Sequence, residues 1–398
     1  LRSPAHPIPP SLRSPAHPTS CSSADVNVGH VQLLTARTRV MAAGAAITTL
    51  TAAGVLTGCS EHAPSAGPTG RQAPITSTTQ IGNVGVLGNQ RRPDESCAPD
   101  PAPLDPDLIG GPPTREVHHA TGVSQVKADP QRIVALSNDA LDTLCALGLQ
   151  SRVVAAAVAD GASGQPSYLG TAIHNVQAVG SQSKPDINAV KAANPDLILG
   201  SQALTADSYG QLSAIAPTVF TGAPGAAWRD NVHQVSAATG RIGAGNGIVD
   251  GFTADATKAG AQTDASHFQV SVVQLTDTTL RVWGVADFPG SVLAAMGADR
   301  PAPQRFSDKP YHEIDISGLG PATDFAAADG DIVYVSFDSA AAKSRAATLF
   351  DSPAWKRLSA TRDNRVFVVN NEVWQTGQGV VAARGMLADL HWLNAPIN

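Results

Sequence analysis

Residues 132–158 read RIVALSNDALDTLCALGLQSRVVAAAV. Two short apolar runs, RIVALS (132–137) and RVVAAAV (152–158), flank the helical stretch DALDTLCALG, which Gly148 stops. An apolar run without polar alternation is buried on both faces, and two such strands joined through a helix make a βαβ unit of a parallel sheet. The same grammar continues downstream. The helix DINAVKAA ends before Asn194-Pro195, because a residue preceding proline avoids helical backbone. DLILGSQ (196–202) is then a strand, SYGQLSAIA a helix, and PTVFTG (217–222) another strand.

From residue 226 to 262 the strand signal vanishes. Trp228, Val232, Val235, Ile242, Ile248, Val249 and Phe252 recur at helical spacing and predict one long, glycine-interrupted connector. The alternation then resumes, with strands FQVSVVQL, TLRVWG, DIVYVSF and RVFVVNN, helices SVLAAMGA and AAAKSRAATLF, and a closing amphipathic helix VVAARGMLADLHWL. The expected architecture is α/β: two lobes with central parallel sheets, residues 113–225 and 263–398, joined by an inter-lobe helix over 226–262. REVHHATGVSQVKADP alternates about Thr121-Gly122 and predicts a small hairpin at the start of the first lobe.

Residues 37–58, RTRVMAAGAAITTLTAAGVLTG, follow the signal-peptide plan of arginines, an apolar stretch and small residues before a cleavage point. Leu56-Thr57-Gly58-Cys59 resembles a bacterial lipobox, which makes Cys59 the expected site of lipidation and places the domain outside the cytoplasm, anchored to the cell membrane. Residues 1–58 are read as leader, with LRSPAHPIPPS and LRSPAHPTS a tandem repeat of no apolar period. Residues 59–112, rich in Pro, Gly, Ser and Thr, are read as a flexible tether. Cys97 and Cys145 remain as a pair, most simply a disulfide in an oxidising compartment. A formal net charge of -6 argues against a nucleic-acid binder, which carries a basic excess.

Ligands of open parallel sheets bind beyond the carboxyl ends of the strands. In the first lobe that rule selects Ser137, Asn138, Tyr168, Ser181 and Trp228. In the second it selects Arg281, Trp283, Arg305, Phe306, Tyr311 and Trp374. Arg281 and Trp283 alternate on one strand and so share a face. Other constellations fall away. Gly243–Gly247 is glycine-rich, but no strand precedes it and no phosphate-binding lysine follows. His118 and His119 are adjacent on a strand and point to opposite faces, so no direct metal site is expected. Without a nucleophile elbow, HExxH or kinase-type signature, the chain is not expected to be an enzyme or to carry a cofactor.

Taken in order, QRIV with LDTLCALGLQSRVV, then VGSQSKPDINAVKAANPDLILGS, then LSAIAPTVF with Trp228, and finally SPAWKRLSATRDNRVFVVN resemble the helical-backbone substrate-binding proteins. Those serve bacterial ABC importers of ferric siderophores, haem and cobalamin. The likeness spans roughly residues 114–396 and is greatest to the ferric-dicitrate-binding lipoproteins. It implies a periplasmic-binding-protein-like fold, a monomer with a rigid inter-lobe backbone, and a ferric siderophore or ferric citrate bound in the cleft. Haem is the second ligand it allows, and an envelope protein-interaction module without transport is the alternative role. Ferric chelates of this kind are often anionic with flat arms, hence the expectation of arginines and aromatic faces. The resemblance also implies a permease-docking glutamate on each lobe; this sequence has Asn188 and Ser317 at those registers, with Asp186 and Asp315 beside them.

Overall fold

A computed structural model describes residues 79–394; the leader and Cys59 lie outside the described residues. The apolar runs of the first lobe form β5 (Ile133–Ala135), β6 (Val153–Val158), β7 (Ala178–Ser181), β8 (Leu197–Ser201) and β9 (Thr218–Thr221). They build one sheet in the order β7-β6-β5-β8-β9, parallel throughout. The order reverses between β5 and β8, which opens a crevice at their carboxyl ends. The expected hairpin is β3 (Thr114–His119) and β4 (Gly122–Lys127), a separate two-stranded sheet.

The second lobe has a seven-stranded sheet. Its strands are β10 (Val270–Leu275), β11 (Thr279–Trp283), β12 (Tyr311–Asp315), β13 (Ile332–Phe337) and β14 (Val366–Val368), joined by β1 (Gln80–Ile81) and β2 (Val84–Val86). The order is β1-β2-β14-β13-β10-β11-β12, with β2, β14, β13 and β10 parallel and the outer strands antiparallel. Residues from Gln80 onward are therefore folded and are not part of a flexible tether. Gly85 pairs with Phe367 and Val86 with Val368, while Val84 and Leu87 are buried. Cys97 then forms a disulfide with Cys145 of the first lobe. This strap runs from one lobe to the other.

The connector is two helices rather than one, Trp228–Thr239 and Ile242–Thr263. Gly240 breaks it with a left-handed φ of 73°, and a Cβ there would lie 2.7 Å from the Ala128 carbonyl. Buried Arg241 follows, donating to the Ala102 carbonyl at 2.9 Å and to Asp129 at 2.9 Å. The largest core runs unbroken from β5 through Trp228 and Phe252 of the connector to Tyr334 and Trp374 of the second lobe. Both lobes thus share one apolar spine, and the polar crevices at their strand ends are left facing each other.

Candidate ligand-binding cleft

Between the lobes lies a cleft of about 980 Å³, at the upper end of the range usual for small-molecule sites. Strand ends shape it. Asn138 follows β5 and Asp160 follows β6 on the first-lobe side. On the other side Leu87–Asn89 follow β2, Thr276–Thr278 follow β10, Asp338 and Ser339 follow β13, and Val369–Asn371 follow β14. Four parallel strands of one sheet and two of the other deliver their next residues to the same space.

Of the residues expected from sequence, Arg281 and Asn138 line this cleft. Arg281 sits on β11, its Nε 3.0 Å from Glu313 and its Nη1 donating to Gln274 at 3.3 Å. Its guanidinium lies 4.8 Å over the Tyr311 ring, and Gln274 in turn donates to Asn371 at 2.8 Å. Asn138, 5% exposed, donates its amide to the Thr376 carbonyl at 2.9 Å; its Oδ1 has no hydrogen-bond partner among the described residues. Ser137 is fully buried at the end of β5.

Most of the expected aromatic faces are elsewhere. Trp228 is in the core, donating its indole N–H to Ser291 at 3.0 Å and meeting Phe252 and Phe288 edge-on. Trp374 is also buried, donating to Asp389 at 2.8 Å and stacked on Tyr334. Tyr168 donates its hydroxyl to buried Asp142 at 2.8 Å, and burial next to that carboxylate pushes the phenol well above its ordinary pKa. Trp283 packs edge-on against its cross-strand partner Tyr311, behind Arg281. Arg305 pairs with Asp299 and Phe306 with the His312 ring, both away from the cleft. Buried Trp228, Trp374 and Tyr168 are thus corrected to structural positions, while Trp283, Arg305 and Phe306 lie outside the residues that line the cleft. Each satisfies its polar atom or its ring within the protein, Trp283 excepted, whose indole N–H is buried without a partner among the described residues.

Ser181 stands one step behind the cleft surface. Burial pushes the Asp160 carboxyl up, but the hydroxyls of Ser181 and Ser183 outweigh it and hold the group below the usual carboxylate range. Across the cleft, partial burial raises Asp338, aided by the nearby Asp277 charge and opposed by Ser339 and Arg281. Sequence reasoning missed Asp160, Asp277, Asp338, Lys343 and Glu372. The strand-end rule itself points to four of them or their neighbours; a search restricted to cations and aromatics passed over the acids.

The lobes are locked together beneath the cleft. Asp142 accepts from the backbone N–H of Val381 at 2.8 Å and Ala382 at 2.9 Å, capping the helix Val380–Leu390 from the opposite lobe. Burial lifts this carboxyl to about 6, against the pull of those N–H donors and Tyr168. Glu372 of the second lobe accepts from the Ser167 N–H at 2.9 Å and from its hydroxyl. No group of three or more candidate metal ligands occurs among the described residues. The site as built can hold a hydrogen-bonding organic molecule of several hundred daltons between two lobes.

The sequence pattern of the periplasmic binding protein family matches residues 133–373. The chain belongs to that family. Among its relatives, the probable siderophore-binding lipoprotein YfiY of Bacillus subtilis is 30% identical over 288 residues, 70% of this chain and 86% of that one. The achromobactin-binding periplasmic protein of Dickeya dadantii is 26% identical over 66% of this chain and 85% of its own. The crystal structure of Staphylococcus aureus SirA complexed with staphyloferrin B superposes with a TM-score of 0.60 at 22% identity, covering 71% of this chain and 98% of that one. That likeness carries the two-lobed fold. Periplasmic binding proteins of this kind bind substrates and are not enzymes.

Proposed function

We propose that this periplasmic binding protein captures a ferric siderophore or ferric citrate in the inter-lobe cleft and delivers it to an ABC importer. The observation that carries the reading is the cleft itself, a single polar space of about 980 Å³ fed by the strand ends of both lobes. The names of its relatives, siderophore-binding and achromobactin-binding, support iron chelates over other cargo. Arg281 and Asn138 contact the chelate, with Tyr311 steadying Arg281 from behind. The iron arrives already coordinated by the chelator, so the protein needs no cofactor and no metal ligand of its own. It acts as a monomer, held at the outer face of the cell membrane by lipid on Cys59. Permease docking uses exposed carboxylates near the registers of Asn188 and Ser317. Asp186 and Asp315 are both exposed, each accepting a hydrogen bond from the backbone N–H of those residues.

Isothermal titration of the purified chain against ferric siderophores, ferric citrate and haem tests the reading. Saturable 1:1 binding of at least one ferric chelate is expected, weakened by Arg281→Ala. The absence of a saturable response to every chelate overturns it.

A further inference from the structure

The charges lining the cleft are not those an anionic ligand would select. Three cations face four carboxylates, and two of the cations are already neutralised within the protein. Arg91 is ion-paired with buried Asp389 and donates to the Gly385 carbonyl at 2.9 Å. Arg281 lies 3.0 Å from Glu313 and 3.8 Å from Asp338, two acids around one guanidinium. Lys343 alone of the three has no ion pair among the described residues. Asp160, Asp277 and Glu372, by contrast, meet no cation within ion-pair distance among the described residues. Hydroxyl and amide groups donate to them instead: Ser183 to Asp160 at 2.6 Å, Ser339 to Asp277 at 2.6 Å, and Ser167 to Glu372. Arg345, behind the wall, gives its guanidinium to the carbonyls of Asp277 and Ile316 rather than to a carboxylate.

Two helix N-termini open on the same space and would otherwise favour an anion. Both already have acids beside them. Asp139 stands in the first turn of the helix Asn138–Ala146, and Asp338 immediately precedes Ser339, which caps Ala340–Asp351. The buried Oδ1 of Asn138 adds an acceptor with no donor among the described residues. Among the residues lining the cleft, Phe337 is the one aromatic ring, which leaves little surface for stacking catechol arms.

We infer that the cleft selects ferric chelates of zero or positive net charge, the tris-hydroxamates, over anionic citrate and catecholate complexes. This deepens the siderophore reading above and rests on it. Three hydroxamates each lose one proton on binding Fe3+, so the metal centre is neutral, whereas three catecholates leave it at -3. A terminal ammonium on a linear hydroxamate supplies the positive partner for Asp160, Asp277 and Glu372, and backbone amides supply further donors to their oxygens and to the Asn138 Oδ1. Inside a cleft walled by protein, such unpaired carboxylates act on a bound charge far more strongly than in bulk water.

The test is a calorimetric titration of the full domain with four probes: ferrioxamine B (a linear tris-hydroxamate, net +1), ferrichrome (a neutral cyclic one), ferric dicitrate and ferric enterobactin. Both hydroxamates are expected to bind at least about tenfold tighter than either anionic complex near 50 mM salt. The ratio of ferrioxamine B to enterobactin affinity should shrink severalfold near 0.5 M salt as the field is screened. Asp277→Asn and Asp160→Asn, at exposed positions, should each narrow that ratio; thermal melting confirms that the variants are folded. Tighter binding of citrate or catecholate than of both hydroxamates overturns the inference while leaving the siderophore reading intact, as does a ratio unmoved by salt and by both variants. Failure of all four probes removes the siderophore reading, and the inference with it.

Discussion

Asp142 is fully buried yet holds together atoms from opposite lobes: the Tyr168 hydroxyl and the N–H groups of Val381 and Ala382. Burial raises its carboxyl from 3.8 to about 6. A folded-state pKa above the unfolded one means the native state holds more protons in that window, so stability falls as pH rises from about 4 to about 6 and levels off above. The shift corresponds to about 3 kcal/mol. Asp142→Asn removes this component. Urea unfolding at pH 4, 5, 6 and 7 should show the stability gap between wild type and variant changing by roughly that amount across the window, whereas a constant gap sinks the assignment. Asp287, also raised to about 6 by burial, contributes equally to both proteins and cancels. At this scale the sequence was legible only in part. Arg281 and Asn138 could be found from strand-end position, but Trp228 and Trp374 look identical in sequence whether they face a ligand or donate to Ser291 and Asp389 inside the core.

Elements were read best where the period is long and worst where pairing is remote. Strands β5, β6, β8, β9, β10 and β13 announce themselves as continuous apolar runs. Strands β1 and β2, of two and three residues, carry no period at all, and the partner that makes them strands, β14, lies near the other end of the chain. The connector break at Gly240 was hidden for a related reason: nothing in the sequence distinguishes it from Gly243 or Gly245, and its left-handed backbone and the approach of Ala128 and Leu108 are set by the tertiary fold. The strap from β2 to Cys97 builds one wall of the cleft and is stapled to the first lobe by Cys97–Cys145, a bridge between residues 48 apart in sequence. Closing a loop of that length is worth roughly 2–4 kcal/mol in the chain-entropy account. The double variant Cys97→Ser/Cys145→Ser should lose stability of that order in denaturant unfolding. It should also weaken chelate binding, because Leu87 and Gly88 then stand on a freer segment. Unchanged stability with and without reductant in the wild type would falsify the staple.

The whole molecule resists opening. The links that cross between the lobes include the disulfide-bound strap, the helix pair Trp228–Thr239 and Ile242–Thr263, and the helix Val380–Leu390 capped by Asp142. A hinge needs a few residues able to absorb a large φ/ψ change. The one break in the connector, at Gly240, is backed against Ala128 and followed by Arg241, whose buried guanidinium is held by Ala102, Thr239 and Asp129. A continuous core from β5 to Trp374 adds a shared apolar surface that wide opening would expose to water. Ligand capture is therefore expected to proceed by side-chain and loop adjustment around a nearly fixed cleft, as in other pre-organised complexes. Small-angle scattering of the domain, free and saturated with the chelate that binds best, should show radii of gyration within about 1 Å of each other. A larger contraction would place a hinge where the structure has packed helices. Loosening one link should move the result: if Arg241→Ala leaves the protein folded, its free form should be more expanded than wild type and contract further on binding, since the break at Gly240 is then no longer clamped.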